Sequence, residues 1–159
     1  MKTVSVRSVF DAFEYVMQHY SPAGLAEFAE RTDTYAVISI QDSHNGGFGI
    51  SFTETAFCTG VLTLLFDDTV REAPGAVLFS DETAVRVIRF IDAHRDADTL
   101  LVHCYAGQSR SSAVGAFAVK YLGGNNAAYF KNGVPNMHVY RTLLRAAGLA
   151  EEGADDGEA

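Results

Sequence analysis

The 159-residue sequence has no tryptophan, three prolines and only two cysteines, Cys58 and Cys104. Two cysteines are too few for a disulfide scaffold in a chain of this length, and they form no CxxC pair or Cys/His cluster with the spacing of a metal site. The composition is 48% hydrophobic, which excludes a chain that is disordered throughout. We therefore expect a globular protein in a reducing compartment, without a metal, and with at least one thiol free for chemistry.

Long apolar segments are also missing. No window approaches the roughly 18 consecutive apolar residues of a membrane-spanning helix. Arg7 and Asp11 interrupt the apolar runs of the first segment, which is not the pattern of a signal peptide. We expect a cytoplasmic protein that is not bound to a membrane.

Basic residues are few, with 12 Lys and Arg against 20 Asp and Glu. No basic stripe is present, so we expect no nucleic-acid partner. Five of the acidic residues lie in the last nine positions, which contain no large apolar residue and cannot offset the entropy of ordering them. We expect one monomeric domain over residues 1–148 and an acidic disordered tail over 149–159.

What the sequence does contain is an alternation of β-rich and helix-like segments. The apolar residues Phe10, Phe13, Val16, Met17 and Tyr20 recur at helical spacing. Strands are predicted at 2–6, 34–40, 61–66 and 99–103. Helices are predicted at 8–20, 23–31, about 80–95, 111–122 and about 135–147. The inner face of the helix at 80–95 is expected to carry Val85, Ile88 and Ile91, with Ala84 as a further option. This order predicts an α/β domain with a central, mainly parallel sheet of four or five strands and helices on both faces.

Three loops are predicted to converge beyond the carboxyl ends of the strands, where ligand sites of such sheets lie. They cover residues 41–49, 67–75 and 104–110. The first is polar and glycine-rich, and it is either a plain turn or a wall of a cleft that uses His44 or Phe48.

The loop that begins at Cys104 joins a predicted strand to a predicted helix. Its backbone N–H groups lie at a helix N-terminus, which favours an anion, and Gly107 supplies a position that tolerates positive φ. Arg110 adds a planar donor able to bind two oxygens of a tetrahedral anion. This positive environment lowers the pKa of a thiol. The pattern favours a nucleophilic Cys104 aimed at a bound phosphate over a cysteine that only fills a buried corner.

The stretch His103-Cys104-Tyr105-Ala106-Gly107-Gln108-Ser109-Arg110-Ser111 resembles the signature loop of cysteine-dependent protein tyrosine phosphatases. The likeness is to the small dual-specificity-like branch and its compact bacterial and phage members. It implies that Cys104 is the nucleophile and that no cofactor is needed. It also implies that Ser111 bonds the thiolate and assists its release, and that His103 orients the loop. The phosphate would be bound by Arg110 and by the loop residues Tyr105, Ala106, Gly107, Gln108 and Ser109.

Such an enzyme needs an acid to protonate the leaving oxygen. The resemblance implies an Asp on a loop upstream of the cysteine, and "FDDT" offers Asp67 and Asp68. We favour Asp68 because Asp67 directly follows a buried strand and is suited to bond the backbone. An Asp followed by Thr is also similar to the family pattern. The same carboxylate would later act as base toward water.

The sequence therefore predicts a metal-independent phosphate-monoester hydrolase. The resemblance implies a phosphotyrosine-containing protein as substrate, with phosphoserine or phosphothreonine as further options. Two alternatives stay open: a phosphatase of a nucleotide, RNA end or inositol phosphate, and an inactive phospho-binding module. The lack of lysine in residues 105–109 argues against a highly anionic substrate.

Three single residues also keep two interpretations each. Tyr105 lies either at the rim of the pocket or in packing. Cys58 is a core residue or a reversible disulfide partner of Cys104. Asn136 is a helix cap or a residue that positions water.

Overall fold

The computed structural model describes residues 1–20, 31–44 and 47–151. Residues 23–30 of the predicted helix at 23–31 and most of the predicted acidic tail lie outside these residues. The described elements are strands β1 (Thr3–Ser8), β2 (Tyr35–Gln41), β3 (Cys58–Leu65) and β4 (Thr99–Cys104), and helices α1 (Val9–Tyr20), α2 (Asp81–Ala93), α3 (Arg110–Tyr121), α4 (Ala127–Asn132) and α5 (Met137–Ala147). None of these helices is long and apolar enough to cross a bilayer.

The four strands form one sheet in the order β1-β4-β2-β3, and every pairing is parallel. All residues of β2 and β4 are buried, as expected for central strands covered on both faces. The prediction of a mainly parallel sheet is confirmed, with four strands among the described residues. Because the strands are parallel, the loops after β1, β2, β3 and β4 open on the same edge.

Helices cover both faces of the sheet, as predicted. On one face, α1 packs over a small core that includes Ala12, Tyr35 and Leu101. On the other, α2, α3 and α5 enclose the larger core, in which Leu100, Phe117 and Leu143 are fully buried. Helix α3 is the most enclosed, since nine consecutive residues from Arg110 to Ala118 are buried. The loop that starts this helix is therefore anchored on a rigid element.

The faces of two helices differ from the simplest interpretation of their apolar spacing. In α1, Phe10, Phe13 and Met17 are exposed, while Val9, Ala12 and Tyr20 are buried. In α2, the prediction that Val85 faces inward is wrong. Its buried stripe runs through Ala84, Val87 and Ile91, and Val85 lies about 100° away from Ala84 around the helix axis.

The two cysteines lie at opposite ends of the sheet. Cys58 begins β3 and pairs with Tyr35, which pairs with Thr99 of β4, whereas Cys104 ends β4. The two residues are therefore separated by about 16 Å along the strands and about 10 Å across them. A disulfide requires Cα atoms within about 7 Å, so the alternative of a Cys58–Cys104 disulfide is wrong. Cys58 is a buried core residue, and burial raises the pKa of its thiol.

Candidate active site

The loop between β4 and α3 packs directly on the junction of β1 and α1. The Val9 N–H donates to the Tyr105 carbonyl at 3.1 Å. Gly107 has φ of 74°, and a Cβ there would lie 2.5 Å from the carbonyl carbon of Arg7 and 2.6 Å from the nitrogen of Ser8. Both the conformation and the close approach require glycine. The predicted role of Gly107 in shaping the loop agrees with this geometry.

Cys104 is 3% exposed at the end of β4. Its Sγ lies 3.1 Å from the Ser111 hydroxyl oxygen, and it accepts a hydrogen bond from the Gly107 N–H at 3.3 Å. Burial by itself would raise the pKa of this thiol. The Ser111 hydroxyl, the backbone N–H groups of Ser111 and Gly107, and the charge of Arg110 together hold the pKa below the ordinary cysteine value. The site therefore favours a thiolate.

Arg110 is the first residue of α3 and is 5% exposed. Its Nη1 donates to the Asp42 carboxylate at 2.7 Å and to the Phe66 carbonyl at 2.8 Å. Its Nε is buried and has no hydrogen-bond partner among the described residues. A buried charged donor without an acceptor is costly. An oxyanion held in the neighbouring loop would supply that acceptor.

His103 connects the loop to β2. Its Nδ1 lies 3.2 Å from the Cys104 carbonyl, and its Nε2 lies 2.6 Å from the Ser39 hydroxyl oxygen. Since a carbonyl only accepts, Nδ1 carries the proton and Nε2 accepts from Ser39. Burial and the charge of Arg110 lower the pKa of His103, so the ring is neutral near pH 7. These contacts fit the expectation that His103 orients the loop rather than reacts.

The amide of Gln41 extends this connection to the loop after β2. Its Nε2 donates to the Ser39 hydroxyl at 2.8 Å and to the Ile50 carbonyl at 3.3 Å. Its Oε1 accepts from the Phe48 N–H at 2.7 Å. The Phe48 ring lies 5.3 Å from the Tyr105 ring. Of the two residues predicted as a possible cleft wall, Phe48 reaches the loop that follows β4, and His44 is exposed.

The two aspartates of "FDDT" have different surroundings. The carboxylate of Asp67 accepts from the Ser43 N–H at 3.1 Å, the Ser43 hydroxyl at 2.6 Å and the Val77 N–H at 2.7 Å. Although burial would raise its pKa, these donors and the nearby His44 lower the pKa to about 2. Asp67 thus joins the loops after β2 and β3.

Asp68 instead lies beside the loop that follows β4. Its Oδ1 accepts from the Ser109 hydroxyl at 2.8 Å and from the Asn136 side-chain amide at 2.9 Å. In the part of the chain that the structure describes, its Oδ2 has no hydrogen-bond partner. The side chain is exposed. This geometry suits a group that exchanges a proton with a substrate oxygen.

Two further residues contribute to the site without having been predicted in these roles. Asn136 caps α5 by accepting from the Val139 N–H at 3.1 Å, as one interpretation predicted, but it also holds Asp68. Asp42 anchors Arg110. The signal that could have pointed to Asp42 is its position, since it is a carboxylate directly after a central strand at the ligand edge of the sheet.

Within residues 1–20, 31–44 and 47–151, no group of three or more His, Cys, Asp or Glu side chains is arranged to hold a metal ion. The groups brought together at the ligand edge are a thiol with a lowered pKa, a guanidinium, backbone N–H groups and a carboxylate. This set can bind a tetrahedral oxyanion and attack its central atom.

Solved structures share the fold of this chain. The human tyrosine phosphatase-like serine/threonine/tyrosine-interacting protein is 20% identical, with a TM-score of 0.52 and coverage of 81% of this chain and 87% of that chain. DUSP15 is 17% identical, with a TM-score of 0.51 and coverage of 91% and 83%. The chain has the dual-specificity phosphatase fold. The Cydia pomonella PTP-2 phosphatase is 16% identical, with a TM-score of 0.50 and coverage of 90% and 84%.

No protein-family model matches the chain, and no curated protein sequence matches it significantly. One of the structures with the dual-specificity phosphatase fold is named as phosphatase-like and as an interacting protein. The fold therefore carries more than one kind of function. A choice between catalysis and binding therefore has to rest on the chemistry of Cys104, Arg110 and Asp68.

Proposed function

We propose that this chain hydrolyses phosphate monoesters through a phosphocysteine intermediate on Cys104, with phosphotyrosine in a protein as its substrate. The proposal rests on the observation that three chemical groups lie together at one loop. These are a thiol with a lowered pKa, a buried Arg110 Nε without an acceptor, and an Asp68 carboxylate with one oxygen unbonded within the described chain.

In the first step, the phosphate is bound by the N–H groups of residues 105–109 and by Arg110. The Cys104 thiolate attacks phosphorus, and the bond between phosphorus and the ester oxygen breaks. Protonated Asp68 gives its proton to that oxygen, which leaves as a phenol or alcohol. The products of this step are phosphocysteine and an Asp68 carboxylate.

In the second step, the Asp68 carboxylate takes a proton from water while the water oxygen attacks phosphorus. The bond between sulfur and phosphorus breaks, and inorganic phosphate forms. The Ser111 hydroxyl, 3.1 Å from Sγ, donates to the departing thiolate and stabilises its charge. The enzyme returns to its starting state with Asp68 protonated.

The same proposal assigns a supporting role to Asp67, which fixes the loop that carries Asp68 through its bonds to Ser43 and Val77. The catalytic domain would span residues 1–148, followed by the acidic tail over 149–159. The proposed enzyme is a monomer. A cytoplasmic location fits a mechanism that needs a reduced thiolate, because such thiolates oxidise readily.

The test is turnover of para-nitrophenyl phosphate in the presence of EDTA. Wild type should turn over, Cys104→Ser should abolish turnover, and Asp68→Ala should lower kcat by about 10²- to 10⁴-fold, as general-acid loss does. The matched variant Asp67→Ala should affect kcat less than Asp68→Ala. If Asp67→Ala were the more damaging change, the acid would be Asp67 and the rest of the mechanism would stand.

The two alternatives give different results in the same preparation. An inactive phospho-binding module would bind a phosphotyrosine peptide with no turnover of any substrate. A phosphatase of non-protein substrates would release phosphate faster from a nucleotide, a 5′-phosphorylated RNA end or an inositol phosphate than from the peptide. The proposal requires the peptide to give the highest kcat/KM of the panel.

A further inference from the structure

Three aromatic side chains from separate segments meet at the lip of the catalytic loop. Tyr105 is the first residue after Cys104, Phe10 lies in the first turn of α1, and Phe48 follows β2. The Tyr105 ring lies 6.1 Å from the Phe10 ring, edge to face, and 5.3 Å from the Phe48 ring. We call these three residues the aromatic rim.

The order of the strands explains why they meet. Strand β4 lies between β1 and β2, so the residue after β4 is flanked by the residues that follow those two strands. Backbone hydrogen bonds fix the two segments that flank Tyr105. The Tyr105 carbonyl accepts from the Val9 N–H at the start of α1, and the Phe48 N–H donates to the Gln41 side chain. Phe48 is thus held by the same network that orients His103.

The rim is not part of the core. Tyr105 is 54% exposed and Phe10 is 59% exposed. A single exposed aromatic residue is ordinary, but Phe10 and the partly buried Phe48 both contact Tyr105. An apolar patch of this kind beside a loop suited to an anion marks a binding surface. The rim therefore offers flat apolar area directly next to the bound phosphate.

The charges around the loop limit the class of ligand that the surface suits. Residues 105–109 contain no basic side chain, and Arg110 is paired with Asp42. Arg7, in the neighbouring strand, lies over the Tyr15 ring at 4.3 Å. Asp68 and Ser109 form the polar side of the loop. This surface suits an uncharged ring joined to one phosphate better than a group that carries several phosphates.

We propose that Tyr105, supported by Phe10 and Phe48, determines specificity by contacting the aryl ring of a phosphorylated tyrosine. The proposal rests on the proposed function and adds to it the residue that reads the substrate and the chemical group it reads. Aromatic pairs prefer edge-to-face or offset contacts with centroids about 4.5–7 Å apart. The short alkyl stem of phosphoserine or phosphothreonine offers no ring for such a contact.

The experiment compares two substrates and one inhibitor across matched variants. The substrates are a phosphotyrosine peptide and the same peptide with phosphothreonine, and the inhibitor is inorganic phosphate, which occupies the loop but has no ring. Tyr105→Leu removes the ring, and Tyr105→Phe keeps it. Phe13→Leu is the control, because Phe13 is another exposed aromatic residue of α1, one turn further from the loop.

We expect Tyr105→Leu to lower kcat/KM for the phosphotyrosine peptide by about three- to tenfold. Tyr105 also belongs to the proposed phosphate-binding loop, so the phosphothreonine peptide and the inhibition constant of inorganic phosphate measure any change in the loop itself. The loss for the phosphotyrosine peptide should exceed the change in both. Tyr105→Phe and Phe13→Leu should keep the wild-type preference. Phe48→Leu should lower the preference in the same direction as Tyr105→Leu, and it leaves the loop sequence unchanged.

Two results would overturn the inference while leaving the proposed function intact. One is an equal loss for both peptides together with weaker inhibition by phosphate, which would mean that Tyr105 only shapes the loop. The other is an unchanged phosphotyrosine kcat/KM in Tyr105→Leu. If wild type turned over neither peptide, the proposed function would fail. The ratio of the two peptides' dissociation constants for wild type and Tyr105→Leu would then decide the role of the rim.

Discussion

The side chain of Asn136 forms hydrogen bonds with both a helix N-terminus and the Asp68 carboxylate. Its Oδ1 accepts from the Val139 N–H and caps α5, while its Nδ2 donates to Asp68 Oδ1 at 2.9 Å. Its backbone N–H also donates to the Ser109 carbonyl at 3.1 Å. One residue thus fixes the distance between the proposed acid and the loop that follows β4.

These two roles of Asn136 can be separated by two substitutions. Asn136→Asp keeps a good capping acceptor but removes the donor to Asp68 and places a second negative charge beside it. Asn136→Ala removes both. We expect both variants to lower kcat about five- to thirtyfold, as one to two lost kcal/mol would. Asn136→Ala should also lose about 1 kcal/mol of unfolding free energy with the cap. Asn136→Asp keeps the cap but should lose stability too, because its buried carboxylate would face Asp68 and the Thr69 carbonyl.

The measurements are kcat with para-nitrophenyl phosphate and urea unfolding of each variant. A loss of kcat in Asn136→Ala with wild-type kcat in Asn136→Asp would assign Asn136 to the helix cap alone.

A second prediction concerns the pair of Asp42 and Arg110, joined at 2.7 Å. The bond fixes Nη1 and leaves Nε without a partner among the described residues. We expect Asp42→Ala to free the guanidinium and to weaken competitive inhibition by inorganic phosphate by about tenfold, the cost of a lost charge-assisted hydrogen bond. Asp42→Asn, which keeps an oxygen acceptor, should have a smaller effect. Unchanged phosphate inhibition in Asp42→Ala would contradict the positioning role.

The contrast between Gly107 and Asp42 shows what the sequence could predict. Gly107 and Cys104 lie within one short loop, so local spacing was enough to predict an anion site with a nucleophile. Strand and helix order was also predictable, because each element carries its own apolar period. The contact between Asp42 and Arg110 joins residues 68 positions apart, and only the strand order brings them together.

The exposure of Phe10 could not be predicted for a related reason. Its spacing fits a buried helix face, yet the face of α1 that packs on the sheet is set by Val9, Ala12 and Tyr20. Which apolar stripe is buried depends on the angle at which the helix crosses the sheet. The sequence of α1 alone contains no information on that angle or on the neighbouring Tyr105.

A third prediction follows from the lowered pKa of Cys104. The rate of inactivation by iodoacetamide should rise with pH through a midpoint below that of an ordinary cysteine, since only the thiolate reacts. Ser111→Ala removes a donor to Sγ and should shift the midpoint to higher pH.

Cys58 provides the internal control for this labelling experiment. It is 1% exposed, and burial raises its pKa, so mass spectrometry should find the label on Cys104 and not on Cys58. A midpoint that is unaffected by Ser111→Ala would contradict the assigned role of the Ser111 hydroxyl.

The last prediction separates the two neighbouring aspartates by stability and by rate. The pKa of Asp67 is lowered to about 2, against about 3.9 in an unfolded chain. Ionised Asp67 therefore stabilises the fold above about pH 4, and this contribution is lost as pH falls toward 2. Asp67→Asn should lower the unfolding free energy at pH 7 by about 1 to 2 kcal/mol, allowing for partial exposure. The difference in unfolding free energy between Asp67→Asn and wild type should shrink between pH 4 and pH 3.

The matched variant Asp68→Asn should show the opposite balance. Asp68 is exposed, and both of its hydrogen bonds go to a single oxygen, so its replacement should change the unfolding free energy by less than about 0.5 kcal/mol. Its kcat should nevertheless fall by at least about 10²-fold, because an amide has no proton to give to the leaving oxygen. Urea unfolding and kcat on the same two proteins measure both quantities. Large losses of rate in Asp67→Asn and of stability in Asp68→Asn would exchange the two assignments, because the bonds of Asp67 to Ser43 and Val77 would then serve the reaction rather than the fold.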